Sequence, residues 1–291
     1  MLAVERNVTP NTRAAYHTDL INFIRFFLPS QVRSIVQIFT EENLRTYCAS
    51  LAHSKKSTAT ICRKISTLKQ YGAFLVREGQ LAMDPTQLLE MPKKEKHLPR
   101  VVSEDDLRSL FSAVAFLKTK EQMRALLMLS LLYGSGLRVS ELVGLQWGHI
   151  ESSGTFLRIL GKGRRERRVP LCSRSLQLLK EWRSLSDTRW IFPSSKKGTH
   201  LTRQRIFQIL REIAHQAGLG FFCLSPHVLR HAFATHLLER GVDLISIKKM
   251  LGHRDVATTE IYTHVQPEHL TQTVLKHHPL ACKKEIFSQE S

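Results

Sequence analysis

Residues 225–241 read SPHVLRHAFATHLLERG and predict a helix with one apolar face and an unusual number of cations. Ser225 stands at an N-cap position, and Pro226 suits the first turn of a helix. His227 and Arg230 are three residues apart, so they are expected on the same face, where imidazole and guanidinium together suit an anionic ligand. For this pair alone, a buried histidine beside a surface arginine is the simpler interpretation. Zinc is disfavoured, because the spacing is not HExxH and arginine repels a metal ion.

The charge balance indicates a polyanionic partner. The chain has 43 Lys and Arg against 25 Asp and Glu, a formal charge of +18. Nucleic acid is the first candidate and an anionic membrane the second. The longest apolar run, ALLMLSLLY at 125–133, is far shorter than the roughly 18 residues of a membrane span, and the first residues lack a signal-peptide core. We therefore expect a cytoplasmic protein with no membrane partner. The five scattered cysteines indicate neither a disulfide framework nor a zinc site.

The pattern along the chain predicts two domains. Residues 1–91 read as amphipathic helices with basic faces, and residues 92–100, PKKEKHLPR, read as an extended basic linker between two prolines. The second domain, 101–291, opens on SEDD, a helix start with Ser103 as its N-cap. Residues 155–172, TFLRILGKGRRERRVPLC, predict two strands joined by a basic turn, and WIFP at 190–193 is strandlike. The expected fold class is mostly α, with a small antiparallel β-sheet in the second domain.

Further polar residues follow turns or lie near the end of the chain. Arg138 follows a Gly-Ser-Gly turn at a predicted helix start, and Glu141 is spaced to brace it. Lys162 lies between two glycines at the predicted hairpin tip, and His253 and Tyr262 come later. Each alone has a simpler interpretation, namely an ion pair, a solvated basic turn, or core and surface residues.

Taken together and in this order, these residues resemble the active-site set of the tyrosine recombinases. The segments GLRVSELVGL, GKGRRERRVPL, LSPHVLRHAFATHLL, LGHRD and TTEIYTHV are similar to those of bacterial Xer recombinases, the XerD type more than the XerC type. The resemblance covers nearly the whole chain. It implies a two-domain, C-shaped DNA clamp with a core-DNA-binding domain at 1–91 and a catalytic domain at 101–291. The implied catalytic residues are Arg138, Lys162, His227, Arg230, His253 and the nucleophile Tyr262, with Glu141 in support.

The resemblance implies attack of Tyr262 on a DNA phosphodiester, leaving a 3′-phosphotyrosyl bond and a free 5′-hydroxyl. Two guanidiniums and His253 suit the charge that develops on the nonbridging oxygens. Lys162 is the expected general acid for the leaving oxygen, and His227 is the expected base. No metal or other cofactor is expected, and no GxxxxGK[ST] loop for ATP is present, since the phosphotyrosyl bond conserves the energy for religation.

For the biological role, the resemblance implies resolution of chromosome dimers at a dif-type site during cell division. The implied partners are double-stranded DNA, a second Xer-type recombinase in a heterotetramer, and an FtsK-like DNA translocase. A phage or mobile-element integrase, a type IB topoisomerase and a catalytically silent DNA-binding regulator are the alternatives. About seven residues precede VTPNTRAAY, so the first family helix is expected to be short or missing. Residues 266–287 are amphipathic enough to dock on a neighbouring protomer.

Overall fold

The structure, a computed structural model, describes residues 10–27, 34–92, 102–114, 119–161, 166–220, 224–252 and 267–281. The chain divides into two compact units, Met1–Leu98 and Pro99–Ser291. The described residues are mostly helical, and their one sheet has two antiparallel strands in the second unit. This confirms the predicted fold class. None of the helices in these ranges has both the length and the apolar composition that a membrane span requires.

The described part of the first unit consists of helices. These are α1 (Pro10–Phe27), α2 (Ile35–Ile38), α3 (Glu41–Ala52) and α4 (Thr58–Arg77). The side chains of Thr40 and Ser57 cap α3 and α4 by accepting backbone N–H groups three residues on. Phe23 is fully buried, and its ring meets Phe39 and Tyr47 edge-on with centroids 5.7 and 5.2 Å apart. This aromatic cluster forms the centre of the unit's core.

A buried ionic cluster joins α1 to α4. Asp19 accepts hydrogen bonds from Arg63 and from the Thr67 hydroxyl, the latter at 3.0 Å. The Lys64 ammonium lies 3.3 Å from the same carboxylate and is almost as buried. The burial of Lys64 is compatible with its charge because of this pairing, since a buried ammonium requires a partner.

The second unit contains the remaining elements. Its helices are α5 (Glu104–Ala113), α6 (Thr119–Gly134), α7 (Val139–Val143), α8 (Ser173–Ser184), α9 (Arg203–Gln216), α10 (Pro226–Glu239), α11 (Leu244–Leu251) and α12 (Pro267–His277). α6 begins with polar residues, but from Ala125 to Gly134 it is buried at every position except Leu126, and it packs against α8 and α10, which explains why this part lacks a polar face. Ser103 begins α5 with a capping box that includes Asp106.

The sheet is a hairpin of β1 (Phe156–Leu160) and β2 (Glu166–Pro170). Phe156 pairs with Pro170 and Leu160 with Glu166, so residues 161–165 connect the two strands. The strandlike stretch 190–193 forms no strand; Trp190 and Pro193 instead make isolated bridges to Gln146 and His200. That expectation was therefore wrong, and the described sheet stays two-stranded.

The segment after α12 packs into the core of its own unit. His278 is fully buried, and Leu280 lies in the hydrophobic core of the second unit together with Val274 of α12. The Leu280 side chain approaches the backbone of α6 at Gly134. Val274 and Leu280 are thus buried within their own unit, whereas Leu275 is 40% exposed, and docking of this segment on a neighbour stays a prediction.

Candidate active site

Arg138 begins α7, where the chain leaves the glycine-containing turn after α6. It is the N-cap residue, and Glu141 in the first turn accepts its backbone N–H at 2.8 Å. The same carboxylate accepts the Arg138 Nη1 donor at 3.0 Å. Arg138 Nη2 donates to the carbonyl of Gly252, 3.2 Å away. The guanidinium is thus held at two edges, with 38% of the side chain still exposed.

Glu141 is shared between two arginines. Arg167, on β2, donates Nη1 and Nη2 to the two carboxylate oxygens, each at 2.8 Å. Burial alone would raise the pKa of Glu141, but the hydrogen bonds and charge of Arg167, followed by the bonds from Arg138, lower it below the usual range. Glu141 is therefore an anion that neutralises part of the arginine cluster, and it is not a proton donor near neutral pH.

Arg230 lies in the second turn of α10 and is only 6% exposed. Its Nη1 donates to the Gly136 carbonyl and its Nη2 to the Leu251 carbonyl. Gly136 has φ of +57°, and a Cβ there would lie 2.7 Å from the Phe233 ring, so only glycine fits. Burial, and next the charge of Arg138, lower the pKa of Arg230 to about 10. Arg230 stays charged at neutral pH in a strongly positive environment.

The structure brings Arg138, Glu141 and Arg230 together around the C-terminal end of α11. His227 is exposed in the first turn of α10, so it does not share the burial of Arg230 despite their common spacing. Lys162, His253 and Tyr262 lie outside the described residues. The predicted catalytic set therefore remains a prediction. The structure describes the surroundings of four of its members, namely Arg138, Glu141, His227 and Arg230.

Two other histidines of the opening helix differ in burial. His231 is exposed, whereas His236 is buried with its Nδ1 3.0 Å from the Tyr133 hydroxyl. Burial lowers the pKa of His236 below the ordinary histidine value, which favours the neutral ring. Arg240 is the C-cap residue of α10, and its side chain pairs with Glu104 at 2.8 Å.

Arg167 is the member of this cluster that the sequence reasoning missed. In the sequence it is one of four arginines within residues 164–168. A signal was present, because strand residues two apart share a face and Val169, two residues on, is apolar. This register predicts an inward-facing Arg167, and a buried arginine requires a carboxylate or carbonyl partner.

The arrangement suits an anion with several oxygens. Guanidiniums present planar forks that match phosphate oxygens, and here their orientation is fixed in advance by carboxylate and carbonyl groups. Within the described ranges, no three His, Cys, Asp or Glu side chains are placed to share a metal ion. The positive charge of the described cluster comes from its arginine side chains.

Two family models match this chain. Residues 100–269 match the phage integrase family, and residues 1–79 match the phage integrase N-terminal SAM-like domain. The chain belongs to the phage integrase family, whose members include the tyrosine recombinases.

Within that family it is an Xer-type, XerD-like site-specific DNA recombinase. It is 40% identical over 294 residues to tyrosine recombinase XerD of Rhizobium meliloti (strain 1021), covering 97% of this chain and 93% of the relative. It is also 40% identical over 288 residues to tyrosine recombinase XerC of Erythrobacter litoralis (strain HTCC2594), covering 97% of this chain and 91% of the relative.

Solved structures share the fold. The XerH recombinase bound to a palindromic difH substrate, in a post-cleavage complex, matches with a TM-score of 0.69 and 23% identity over 92% of this chain and 80% of that one. The Tn1549 transposon integrase in complex with circular intermediate DNA matches with a TM-score of 0.70 and 16% identity, over 92% and 94% of the chains. At these identities the likeness supports the tyrosine recombinase fold.

Proposed function

We propose that this recombinase resolves circular chromosome dimers in the cytoplasm, at a dif-type site, during cell division. It acts on double-stranded DNA together with a second Xer-type recombinase in a heterotetramer, and an FtsK-like translocase activates it. Residues 1–91 bind the core DNA, and residues 101–291 carry the catalysis. The +18 charge supports this, since phosphate neutralisation drives such binding.

The observation that carries the chemical part of the proposal is the paired placement of Arg138 and Arg230. Both donate to the end of α11, at Gly252 and Leu251, and the next residue in the chain is His253. Two members of the proposed catalytic set thus donate to neighbouring carbonyls at one helix end. In the transition state of phosphodiester cleavage, negative charge increases on the two nonbridging oxygens. Two guanidiniums of fixed orientation can stabilise that charge by donating hydrogen bonds to both oxygens.

In the proposed reaction the Tyr262 oxygen attacks the phosphorus and forms the 3′-phosphotyrosyl bond, while the bond from phosphorus to the 5′-oxygen breaks. His227 takes the phenolic proton, and Lys162 gives a proton to the departing 5′-oxygen. Arg138, Arg230 and His253 bind the nonbridging oxygens, whose charge increases in the transition state. A 5′-hydroxyl from the other duplex then attacks the phosphotyrosyl bond and releases Tyr262. The protein supplies every proton and charge in this scheme, so neither a metal nor ATP takes part.

The nucleophile can be tested with a nicked duplex that carries a dif-type core, because loss of the short fragment beyond the nick traps the covalent adduct. The wild-type chain should give a protein–DNA band on a denaturing gel, and Tyr262→Phe should give none. Tyr71→Phe, a change of another tyrosine in the first unit, should leave the band unchanged. An adduct formed by Tyr262→Phe would contradict the assignment.

The general acid can be tested by replacing the bridging 5′-oxygen with sulfur. A thiolate leaves without a proton, so Lys162→Ala should cleave this substrate at nearly the wild-type rate, although it cleaves the ordinary substrate slowly. His253→Ala should gain no comparable rescue, because its defect concerns the nonbridging oxygens. Absence of rescue for Lys162→Ala would contradict the role of Lys162.

The biological role can be tested with a plasmid that carries two directly repeated dif-type sites. The chain with its partner recombinase should convert the plasmid into two circles, and an FtsK-like translocase should increase the yield. Relaxation of a supercoiled plasmid that lacks the site would instead indicate a topoisomerase. Activity on phage attachment sites, with none on dif-type sites, would indicate an integrase.

A further inference from the structure

Three consecutive carbonyls at the C-terminal end of α11 each accept a hydrogen bond from a different arginine. The pairs are Arg167 Nε with Met250 at 3.0 Å, Arg230 Nη2 with Leu251, and Arg138 Nη2 with Gly252 at 3.2 Å. The last carbonyls of a helix lack partners within it and carry the negative end of the helix dipole. The end of α11 is therefore a binding site for guanidiniums, and the residue that follows it is His253.

Arg167 connects this row to the opposite side of the site. Its Nε binds α11, while Nη1 and Nη2 bind both oxygens of Glu141, which in turn holds the side chain and backbone of Arg138. One planar group thus fixes the start of α7 relative to the end of α11. The side chain of Arg167 is only 11% exposed, and a Cβ on Gly252 would lie 3.0 Å from its Cδ.

We propose that Arg167 is a positioning residue for strand cleavage. It holds Glu141 and the end of α11 in one geometry, and so it fixes both the Arg138 guanidinium and the backbone that leads into His253. Arg167 acts through these neighbours and does not itself need to touch DNA. The inference rests on the proposed function, because it takes Arg138 and His253 as the groups that bind the scissile phosphate.

The bonds of Arg167 require arginine in particular. Lysine would keep the positive charge beside Glu141, but a single ammonium cannot bind both carboxylate oxygens and a carbonyl on another element in fixed directions. Misplacement of a catalytic group by about 1 Å costs on the order of 10²-fold in rate. Arg167→Lys should therefore fold and bind DNA, yet cleave slowly.

The neighbouring residue on the same strand supplies a matched control. Arg168 donates Nε and Nη2 to the two oxygens of Glu151 at 2.8 and 2.7 Å, so it too makes a two-point bond to a carboxylate. In its described contacts Arg168 bonds neither Glu141 nor α11. Arg168→Gln and Arg168→Lys thus remove the same kind of ion pair from the same hairpin without disturbing the arginine row.

The experiment measures single-turnover cleavage of the nicked dif-type duplex by wild type and by Arg167→Gln, Arg167→Lys and the two Arg168 variants. We expect the Arg167 variants to be slower by roughly 10²-fold, with DNA affinity by fluorescence anisotropy nearly unchanged. The Arg168 variants should stay within a few-fold of wild type. Equal rates for the Arg167 and Arg168 variants would overturn the positioning role. If Arg167→Gln does not fold, Arg167→Lys carries the same comparison.

A second substrate separates positioning from general weakening of the fold. A methylphosphonate at the scissile position removes one charged nonbridging oxygen, so cleavage depends less on Arg138. On this substrate, the loss of rate relative to wild type should be smaller than on the ordinary phosphodiester for both Arg138→Ala and Arg167→Lys. A penalty for Arg167→Lys that persists while that of Arg138→Ala shrinks would overturn the inference. Failure of the wild-type chain to form any adduct would contradict the proposed function itself.

Discussion

His278 should make the second unit less stable as the pH falls through the range of ordinary histidine titration. Its Nδ1 accepts the Leu280 backbone N–H at 3.1 Å, so the proton of the neutral ring is on Nε2, which donates to the Tyr133 carbonyl at 3.2 Å. A second proton on Nδ1 would break the bond from Leu280 and place a charge in the core. Burial lowers the pKa of His278 to about 3, although the hydrogen bond to the Tyr133 carbonyl opposes the shift.

The sign and size of the effect follow from linkage. In the unfolded chain the pKa is 6.5, so between pH 6.5 and about 3 the unfolded state binds a proton that the folded state does not. The stability is nearly complete at about pH 7.5 and decreases as the pH falls through 6.5 toward 3. From about pH 7.5 to about pH 5.5, this one group should lower the free energy of unfolding by about 1.4 kcal/mol. The lowered pKa of His236 acts in the same direction.

Urea unfolding followed by tryptophan fluorescence measures this effect in the full chain. Trp147, Trp182 and Trp190 are the three tryptophans, and all belong to the second unit. His278→Gln keeps an acceptor for Leu280 and a donor for Tyr133 but does not titrate, so it should lose about 1.4 kcal/mol less than wild type between the two pH values. His231→Gln, an exposed change on α10, should keep the full wild-type dependence. An identical pH dependence of wild type and His278→Gln would refute the reasoning.

Four other outcomes are expected. Glu141→Gln removes the one carboxylate that Arg138 and Arg167 share, so it should lower stability by about 3 kcal/mol in urea titrations and slow cleavage of the nicked duplex. Gly252→Ala should cost about 1–2 kcal/mol in the same titration, because φ is +64° and the new Cβ would press on Arg167. Tyr133→Phe leaves buried His236 without its hydroxyl partner and should cost about 1–3 kcal/mol. Anisotropy titrations should show a linear fall of log affinity with log salt concentration, and a flat line would contradict phosphate-driven binding.

The sequence predicted best those features that depend on a few adjacent residues. Ser103 and Ser225 cap helices where their spacing predicted, and Arg138 begins α7 with Glu141 as its brace. These helix starts are stabilised by hydrogen bonds between residues three apart in the chain, so the local sequence is sufficient to predict them. The hairpin was also predictable from local sequence, because side chains alternate between the two faces of a strand. In β1, Ile159 is buried and the next residue, Leu160, is exposed.

Features that depend on distant partners were not predictable from spacing. Arg167 and Glu141 are 26 residues apart, and Arg230 reaches carbonyls 94 and 21 residues away. The helical spacing placed His227 and Arg230 on one side of α10, but burial depends on what packs there, and only Arg230 is covered. The sequence thus predicted Arg138 and Arg230 as site cations, whereas Arg167 and the mutual arrangement of the three arginines required the folded chain.

The shared carboxylate has a consequence for folding itself. Among the described residues, Arg138, Arg167 and Arg230 surround one counter-charge, Glu141, so three positive groups against one negative leave the region with a surplus of two. Repulsion among these arginines therefore lowers the stability of the folded domain, and a bound anion reduces this repulsion. The unfolded chain has no such binding site. By mass action, any polyvalent anion that enters should raise the melting temperature of the second unit. Bound DNA is then both the substrate of this domain and the anion that neutralises its surplus positive charge.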